Sequence, residues 1–216
     1  MRISKRLQKI AEMVKHNTVV DIGTDHAHLP IYLAQNGLVA KVLATDVNAG
    51  PLAVAERNIV DAALSGMVLT RLCNGLDGVS SAEYAACVIS GMGGGLIVEI
   101  IRQNLEVALG FKQLILSPQR DVPDLRLFLQ QNGFRIDDEE ILEEKGKIYN
   151  ILDVSPGYEP LYDIKDQLFG KILLEKKPDA LKKQLEIDIK KLRKIKRSEY
   201  DKILQLHEEV LACLSK

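Results

Sequence analysis

The residues of this 216-residue chain that could do chemistry are grouped at four places, each at the end of an apolar run. Strands of a parallel sheet end at one edge, and ligands of such sheets bind beyond that edge. The four groups therefore predict one shared ligand site. Each group contains glycine, an acid or both: Asp21-Ile22-Gly23, Asp46, Asn74-Gly75-Leu76-Asp77 and Ser90-Gly91-Met92-Gly93.

The first two groups indicate the kind of ligand. Asp46 lies 23 residues after Gly23, and an acid about 20 residues past a glycine turn accepts hydrogen bonds from ribose hydroxyls. NAD is disfavoured, because its turn needs three glycines beside the pyrophosphate, whereas Asp25 here would repel a phosphate. A nucleoside with a cationic centre and an amino-acid tail fits better. We therefore expect S-adenosylmethionine, with Asp21 meeting its ammonium group.

Composition places the chain among ordinary globular proteins, with 46% hydrophobic and 27% charged residues. No apolar run approaches the roughly 20 residues of a membrane span, and the first residues lack the apolar centre of a signal peptide. We therefore expect a cytoplasmic protein without membrane contact. Cys73, Cys87 and Cys213 are widely spaced, which favours neither disulfides nor a metal site.

Apolar runs alternate with helical patterns along the first 131 residues, which predicts an α/β fold with a doubly wound, Rossmann-like parallel sheet. Two further runs at 134–142 and 148–154 predict a closing hairpin, which makes the last strand antiparallel. The predicted strands are 18–22, 41–46, 67–72, 84–90 and 113–116, and the predicted helices are 2–14, 29–35, 48–63, 96–108 and 122–131.

The alternation ceases near residue 160, so we expect one domain over 1–160 and a helical extension over 161–216. Apolar residues at steps of three and four predict helices at 176–197 and 199–215. An antiparallel hairpin is favoured, and one long helix is the alternative. The segment 176–197 carries ten Lys and Arg against three acids, which is typical of a surface for a polyanion or of a solvated helix face.

The motifs come in the order found in one bacterial family. They are Asp-Ile-Gly-Thr-Asp-His-Ala-His-Leu-Pro at 21–30, Asp46 to Pro51, Asn74 to Asp77, Ser90 to Gly94, Leu116 to Gln119 and 141–149. Over residues 2–155 the chain resembles the tRNA (adenine-22-N1)-methyltransferases, usually called TrmK. The resemblance implies a class I methyltransferase domain with a coiled-coil-like extension, tRNA as the partner, and no obligate protein partner. Thr24 and His28 stand where family members often have Ser and Tyr.

This resemblance, together with the position of Asp25 beside Gly23, makes Asp25 the candidate catalytic carboxylate. Its alternative role is the N-cap of the following helix. We expect cofactor contacts from Asp21, Gly23, Thr24, His26, Asp46, Val47, Asn74, Gly75, Leu76, Ser90, Gly91 and Met92. The expected substrate contacts are His28, Gly93, Gly94, Pro118 and Gln119 at the target base, and Arg2, Lys5, Arg6, Lys190, Arg193, Lys194 and Arg197 at phosphates.

Two other functions fit the same residues. One is a class I methyltransferase of another RNA or of a small molecule, and the other is a non-catalytic scaffold that keeps a cofactor pocket. Transfer of a labelled methyl group to unmodified tRNA separates the first from the proposed enzyme. Cofactor binding without any transfer would favour the scaffold.

Overall fold

The computed structural model describes residues 3–195 and 197–214, and this part of the chain contains one sheet of seven strands. The strands are β1 (Thr18–Ile22), β2 (Lys41–Asp46), β3 (Val68–Leu72), β4 (Ala86–Ser90), β5 (Gln113–Ser117), β6 (Phe134–Glu144) and β7 (Lys147–Pro156). The helices are α1 (Lys5–Met13), α2 (His28–Gln35), α3 (Ala49–Asp61), α4 (Gly94–Gln103), α5 (Leu105–Gly110), α6 (Val122–Gln131), α7 (Ile164–Phe169), α8 (Lys171–Lys176), α9 (Asp179–Leu192) and α10 (Asp201–Leu214).

The strand order is β3-β2-β1-β4-β5-β7-β6, with β1 to β5 parallel and β7 antiparallel to both of its neighbours. This confirms the predicted doubly wound sheet with an antiparallel strand. The register pairs Ile22 with Thr45 and with Ile89. The loops that follow β1, β2 and β4 consequently leave the sheet side by side, as the sequence predicts.

The central strands β1, β4 and β5 are mostly apolar and buried because helices cover both faces of the sheet. Along β1, Val20 and Ile22 belong to the core cluster that includes Ile97 of α4. Val19 points the other way, into the cluster that includes Ile10 of α1 and Leu33 of α2. One hydrophobic core therefore lies on each face of the sheet, between the strands and the helices that cover them.

Two predicted elements differ from the structure within this domain. The helix predicted at 96–108 is two helices, α4 and α5, because Asn104 adopts φ −131° and ψ 45° and interrupts the helix. The hairpin strands are longer than predicted, because the turn consists only of Lys145 and Gly146. Both residues have positive φ, 51° and 76°, as a two-residue hairpin turn requires.

The C-terminal extension is helical, as predicted, and α10 matches the helix predicted at 199–215, but the limits predicted for the first helix are wrong. The helix predicted at 176–197 is α9, which starts only after Pro178, since the residue before a proline is disfavoured in a helix. The six-residue helices α7 and α8 are too short to show a periodic pattern. The alternative of one long helix is also wrong, because Arg193 after α9 forms an ion pair with Glu208 of α10 at 2.7 Å.

The extension packs directly on β6. Ile141 of that strand lies in a third apolar cluster with Phe169, Leu181 and Val210. Beside it, the buried Arg126 guanidinium donates to Glu139 at 2.8 Å and to the carbonyl of Gln167 at 3.0 Å, which ties α6, β6 and α7 together. The division at residue 160 stays a prediction.

No helix in the described ranges combines the length and the apolar character that crossing a bilayer requires.

Candidate active site

The turn after β1 is built on Gly23, whose φ is +71°. This conformation favours glycine, and a Cβ here would also lie 2.2 Å from Cε of Met92, so a larger residue would have to displace that side chain. The next residue, Thr24, donates its N–H to the carbonyl of Thr45 at 2.8 Å. The turn is therefore fixed to the end of β2.

Asp46 holds this region together through its carboxylate. Its Oδ2 accepts from the N–H of Asp25 at 3.2 Å, and its Oδ1 accepts from the N–H of Asn48 at 2.8 Å. Asp46 is only 8% exposed. Because each carboxylate oxygen has two acceptor positions, each keeps one for a ligand hydroxyl.

Asp25 lies on the same turn but differs in its environment. Its side chain is 66% exposed, and Oδ1 lies 3.5 Å from Nε2 of His26. Its φ is +54°, and that of Ala27 is +56°. The N-cap alternative is wrong, because α2 begins at His28, with Ala27 at the cap position and no side-chain cap. The Asp25 carboxylate is therefore available for another partner.

Asp21 is the more deeply buried of the two buried acids of the site, at 4% exposed. Burial raises its pKa to about 7, against the effect of the positive charge of Arg6 on α1. A carboxyl group in this state becomes fully ionised only above neutral pH or beside a bound cation. Asp21 is thus suited to pair with a positively charged ligand group.

The loops after β4 and β5 form the opposite wall of the site. Backbone hydrogen bonds continue between the two loops beyond the ends of the paired strands. These bonds fix the position of both loops relative to the edge of the sheet. The backbone bonds run from Gly91 N–H to Ser117 O at 3.2 Å, from Gln119 N–H to Met92 O at 2.8 Å, and from Gly94 N–H to Arg120 O at 2.9 Å.

These walls enclose a cavity of about 600 Å³ at the carboxyl edge of the sheet. The sequence-predicted residues that line it come from the last residues of β1, β2 and β4, from the loops after β1 to β5, and from α1 and α2. They are Asp21, Gly23, Thr24, Asp25, Asp46, Val47, Asn74, Gly75, Ser90, Gly91, Met92, His28, Gln119 and Arg6.

Other predicted site residues lie away from the cavity wall. Leu76 is completely buried in the core, and Gly94 packs against the backbone of the loop after β5. The remaining ones are His26, Gly93, Pro118 and Lys5 near the cavity, and Lys190, Arg193, Lys194 and Arg197 in the C-terminal extension. Arg2 lies outside the described residues.

The cavity is also lined by residues that were not among the predicted cofactor or substrate contacts. Thr45, Asn48 and Cys73 line it, and burial raises the pKa of the Cys73 thiol. All three residues lie at or near the end of a predicted strand. This position, and not the residue type, is the sequence signal that could have identified them. Within the described part of the chain, no three His, Cys, Asp or Glu side chains are grouped as metal ligands would be.

Comparison with known proteins agrees with this geometry. The family model of the methyltransferase domain matches residues 3–152. The tRNA (adenine(22)-N(1))-methyltransferase of Bacillus subtilis (strain 168) is 35% identical over 158 residues, which span 73% of this chain and 66% of the relative.

Two solved structures extend the similarity to the full fold. Streptococcus pneumoniae Sp1610 in complex with S-adenosyl-L-methionine has a TM-score of 0.93 at 34% identity, covering 97% of this chain and 100% of that chain. M. capricolum TrmK in complex with S-adenosyl-homocysteine has a TM-score of 0.81 at 25% identity, covering 100% of this chain and 97% of the other.

A doubly wound sheet with one antiparallel strand, and with acids at the ends of β1 and β2, defines a Rossmann-like methyltransferase fold. The chain belongs to the methyltransferase-domain family, among the relatives of the tRNA (adenine(22)-N(1))-methyltransferases. The resemblance found in the sequence motifs is confirmed.

Proposed function

We propose that this protein transfers a methyl group from S-adenosylmethionine to N1 of adenine 22 in tRNA. The observation that carries the proposal is that Asp21, Asp46 and the exposed Asp25 all line one cavity of about 600 Å³. Its size suits a nucleoside cofactor together with a base. The B. subtilis relative is a tRNA (adenine(22)-N(1))-methyltransferase, which supports adenine as the target base and 22 as its position.

The donors and acceptors in the cavity fit the parts of the cofactor. The free acceptor positions of Asp46 suit two ribose hydroxyls, and Asp21 suits the ammonium group. Val47, Asn74 and Gly75 line the cavity beyond Asp46, where the cofactor adenine would lie. With the ribose at Asp46 and the ammonium group at Asp21, the sulfonium of the cofactor would lie between these two acids, near the turn at Gly23.

Bound S-adenosylmethionine supplies a methyl group activated by a positively charged sulfur, and transfer is an in-line displacement by the lone pair of adenine N1. The protein must align the two and exclude water. Asp25 is placed on the turn with its carboxylate exposed. It would stabilise the positive charge that develops on the adenine, or accept the proton from its amino group, an effect of about 10²- to 10⁴-fold for a general base.

The target base would approach from the side of His28 and Gln119. Gln119 lines the cavity and also a neighbouring cleft of about 420 Å³, to which Lys147, Tyr149 and Lys191 contribute. An aromatic ring and two lysines are the groups that contact bases and phosphates of RNA. On this proposal, the tRNA would follow this cleft from the C-terminal extension to the cavity. The protein would act in the cytoplasm, where tRNA is found.

Two measurements test the proposal together. Calorimetric titration with S-adenosylmethionine tests the cofactor site, and radiolabelled methyl transfer to tRNA transcripts with A or G at position 22 tests the reaction. We expect cofactor binding and transfer to the A22 transcript alone. Binding without transfer to any RNA would reject the enzymatic function, and equal transfer to both transcripts would reject the position.

A further inference from the structure

The ion pair between Arg126 of α6 and Glu139 of β6 is buried where both elements meet the C-terminal extension. The two side chains are 2% and 1% exposed. The guanidinium donates to Glu139 Oε1 at 2.8 Å and to the carbonyls of Gln167 at 3.0 Å and Leu168 at 3.2 Å. Replacing a buried ion pair by apolar side chains of similar volume is often neutral or stabilising. Stability alone therefore does not explain the Arg126–Glu139 pair.

The backbone bonds from Arg126 go to the end of α7. Gln167 and Leu168 lie in the last turn of this six-residue helix, where carbonyl groups have no partner within the helix. The chain then turns at Gly170, whose φ is +87°. A Cβ there would lie 2.7 Å from Oε2 of Glu139 and 2.8 Å from Nη2 of Arg126. The Arg126–Glu139 pair thus sets where α7 ends and in which direction α8 leaves it.

The helices after this turn lead back to the site. Lys176 at the end of α8 donates to the carbonyl of Glu139 at 2.9 Å and to the carboxylate of Asp138 at 2.6 Å. Lys191 of α9 lines the same cleft as Gln119, which also lines the cavity. The cleft proposed for tRNA therefore has one wall from the loop before α6 and another from the extension. The Arg126–Glu139 pair joins the elements that carry these two walls.

We propose that Arg126 and Glu139 are positioning residues for tRNA, because they fix the orientation of the extension relative to the sheet so that α9 and the loop after β5 contact one RNA molecule together. This inference rests on the proposed function. The apolar contacts between the extension and β6 are non-directional, whereas the hydrogen bonds of a planar guanidinium are directional. Neither side chain lines the cavity, so both act through the elements that they join.

Two variants separate this geometry from stability. Arg126→Met leaves Glu139 buried without its partner, so the midpoint of thermal unfolding should fall by about 6 to 20 °C. The double variant Arg126→Met/Glu139→Leu replaces both charges by apolar groups and should recover most of that midpoint. In both variants the hydrogen bonds to the end of α7 are lost.

Steady-state methyl transfer, at a temperature where circular dichroism shows each variant folded, measures KM for tRNA and kcat. We expect KM to rise by about 10- to 100-fold in both variants, as when one or two contacts to phosphate are lost. The kcat at saturating tRNA should stay within about twofold, and the affinity for S-adenosylmethionine should not change. The matched control is Val68→Ala, which removes buried methyl groups from β3. It should lower the midpoint and leave KM and kcat unchanged.

A KM that returns to the wild-type value in the double variant, together with stability, would overturn the proposal, because the pair would then serve folding alone. A lower kcat with unchanged KM, or a weaker cofactor affinity, would also overturn it. Where Arg126→Met does not fold, the double variant and Arg126→Lys carry the test. Lysine keeps the charge without the planar donors, so its KM should be intermediate. Absence of methyl transfer to tRNA by the wild-type protein would instead reject the proposed function.

Discussion

Asp46 and Asp25 are joined by one hydrogen bond, yet their carboxylates face different environments. The Asp46 carboxylate is buried and accepts two backbone N–H groups, one of them from Asp25. The Asp25 side chain projects from the turn and is 66% exposed. At the residue scale, this difference in burial supports a different role for each of the two carboxylates. Asp46 holds the turn and is the proposed ligand of the cofactor ribose, while the exposed carboxylate of Asp25 is proposed to act on the substrate.

The role of Asp25 is tested by Asp25→Asn, which tolerates the positive φ of this position better than most residues. We expect methyl transfer to tRNA to slow by about 10²- to 10⁴-fold, because the charge is lost. Cofactor affinity should stay within about twofold, because Asp46 is held by the backbone N–H of Asp25, not by its side chain. Single-turnover rates and calorimetry measure the two effects. A rate close to that of the wild type would exclude the carboxylate from catalysis.

If Asp21 binds the ammonium group as proposed, its raised pKa should make cofactor binding depend on pH. Since burial raises this pKa to about 7, the group is protonated below that value and cannot attract an ammonium ion. Affinity for S-adenosylmethionine should therefore increase as pH rises through about 7, with a limiting slope of about tenfold per pH unit for one linked proton. Above that range it should level off.

Calorimetry between about pH 5.5 and 8.5 measures this dependence, and Asp21→Asn is the control. The variant should bind more weakly and without the rise near neutral pH. The same slope in the variant and in the wild type would assign the titration to another group. The linkage to folding has the opposite sign. Between about pH 4 and 7 the folded state keeps a proton that the unfolded state has lost, so this group lowers stability as pH rises.

At the element scale, the site depends on how the loops after β4 and β5 are paired. Gly94 lies where these loops meet, and a Cβ there would be 2.6 Å from the carbonyl oxygen of Asp121 and 2.7 Å from that of Arg120. Gly95, the next residue of α4, has open space around its Cβ position. A side chain is therefore excluded at Gly94 but has room at the adjacent Gly95.

Gly94→Ala should lower the free energy of unfolding by about 1–3 kcal/mol, the usual cost of overpacking, and should weaken cofactor binding because the cavity wall shifts. Gly95→Ala should be neutral or slightly stabilising, because alanine favours a helix over glycine. Urea denaturation and calorimetry on the two variants measure both effects. Equal stability of the two variants would contradict the close approach of the loops.

The elements that could be predicted are those whose signal is local. The strand ends and the glycine turn follow from apolar runs and residue type, so most predicted cofactor residues do line the cavity. The break at Asn104 and the short helices α7 and α8 leave no periodic trace. The placement of Arg6 depends on α1 packing against β6 and Tyr149, which helical spacing cannot reveal. Sequence reasoning predicted a phosphate contact for Arg6, and the structure places Arg6 in the wall of the cavity.

At the scale of the whole molecule, several cations of the C-terminal extension form ion pairs within the protein, some of them with β6. Lys176 bonds to Asp138 at 2.6 Å and to Glu140 at 2.8 Å, and Lys183 pairs with Glu143 on the same strand. The ion pairs among the described residues do not include Lys190 or Lys194. Fewer cations are thus available to bind a polyanion than the net charge of residues 176–197 suggests.

Replacing both Lys190 and Lys194 by glutamine should weaken tRNA binding and leave cofactor binding unchanged. Each phosphate contact contributes a slope of about 0.7 to 0.9 in the logarithmic dependence of affinity on salt, so the slope should decrease by about 1 to 2. Filter binding across a salt series measures it. Lys183→Gln is the control with a smaller expected change, and an unchanged slope in the double variant would exclude these lysines from the RNA surface.

The central claim is most directly tested by locating the methyl group. Unmodified tRNA incubated with the protein and S-adenosylmethionine is digested with nucleases, and the fragments are analysed by mass spectrometry. We expect one N1-methyladenosine per molecule at position 22 with the wild-type protein, and almost none over the same time with Asp25→Asn. A methyl group at another base, or unmodified tRNA in the presence of bound cofactor, would contradict the proposed function.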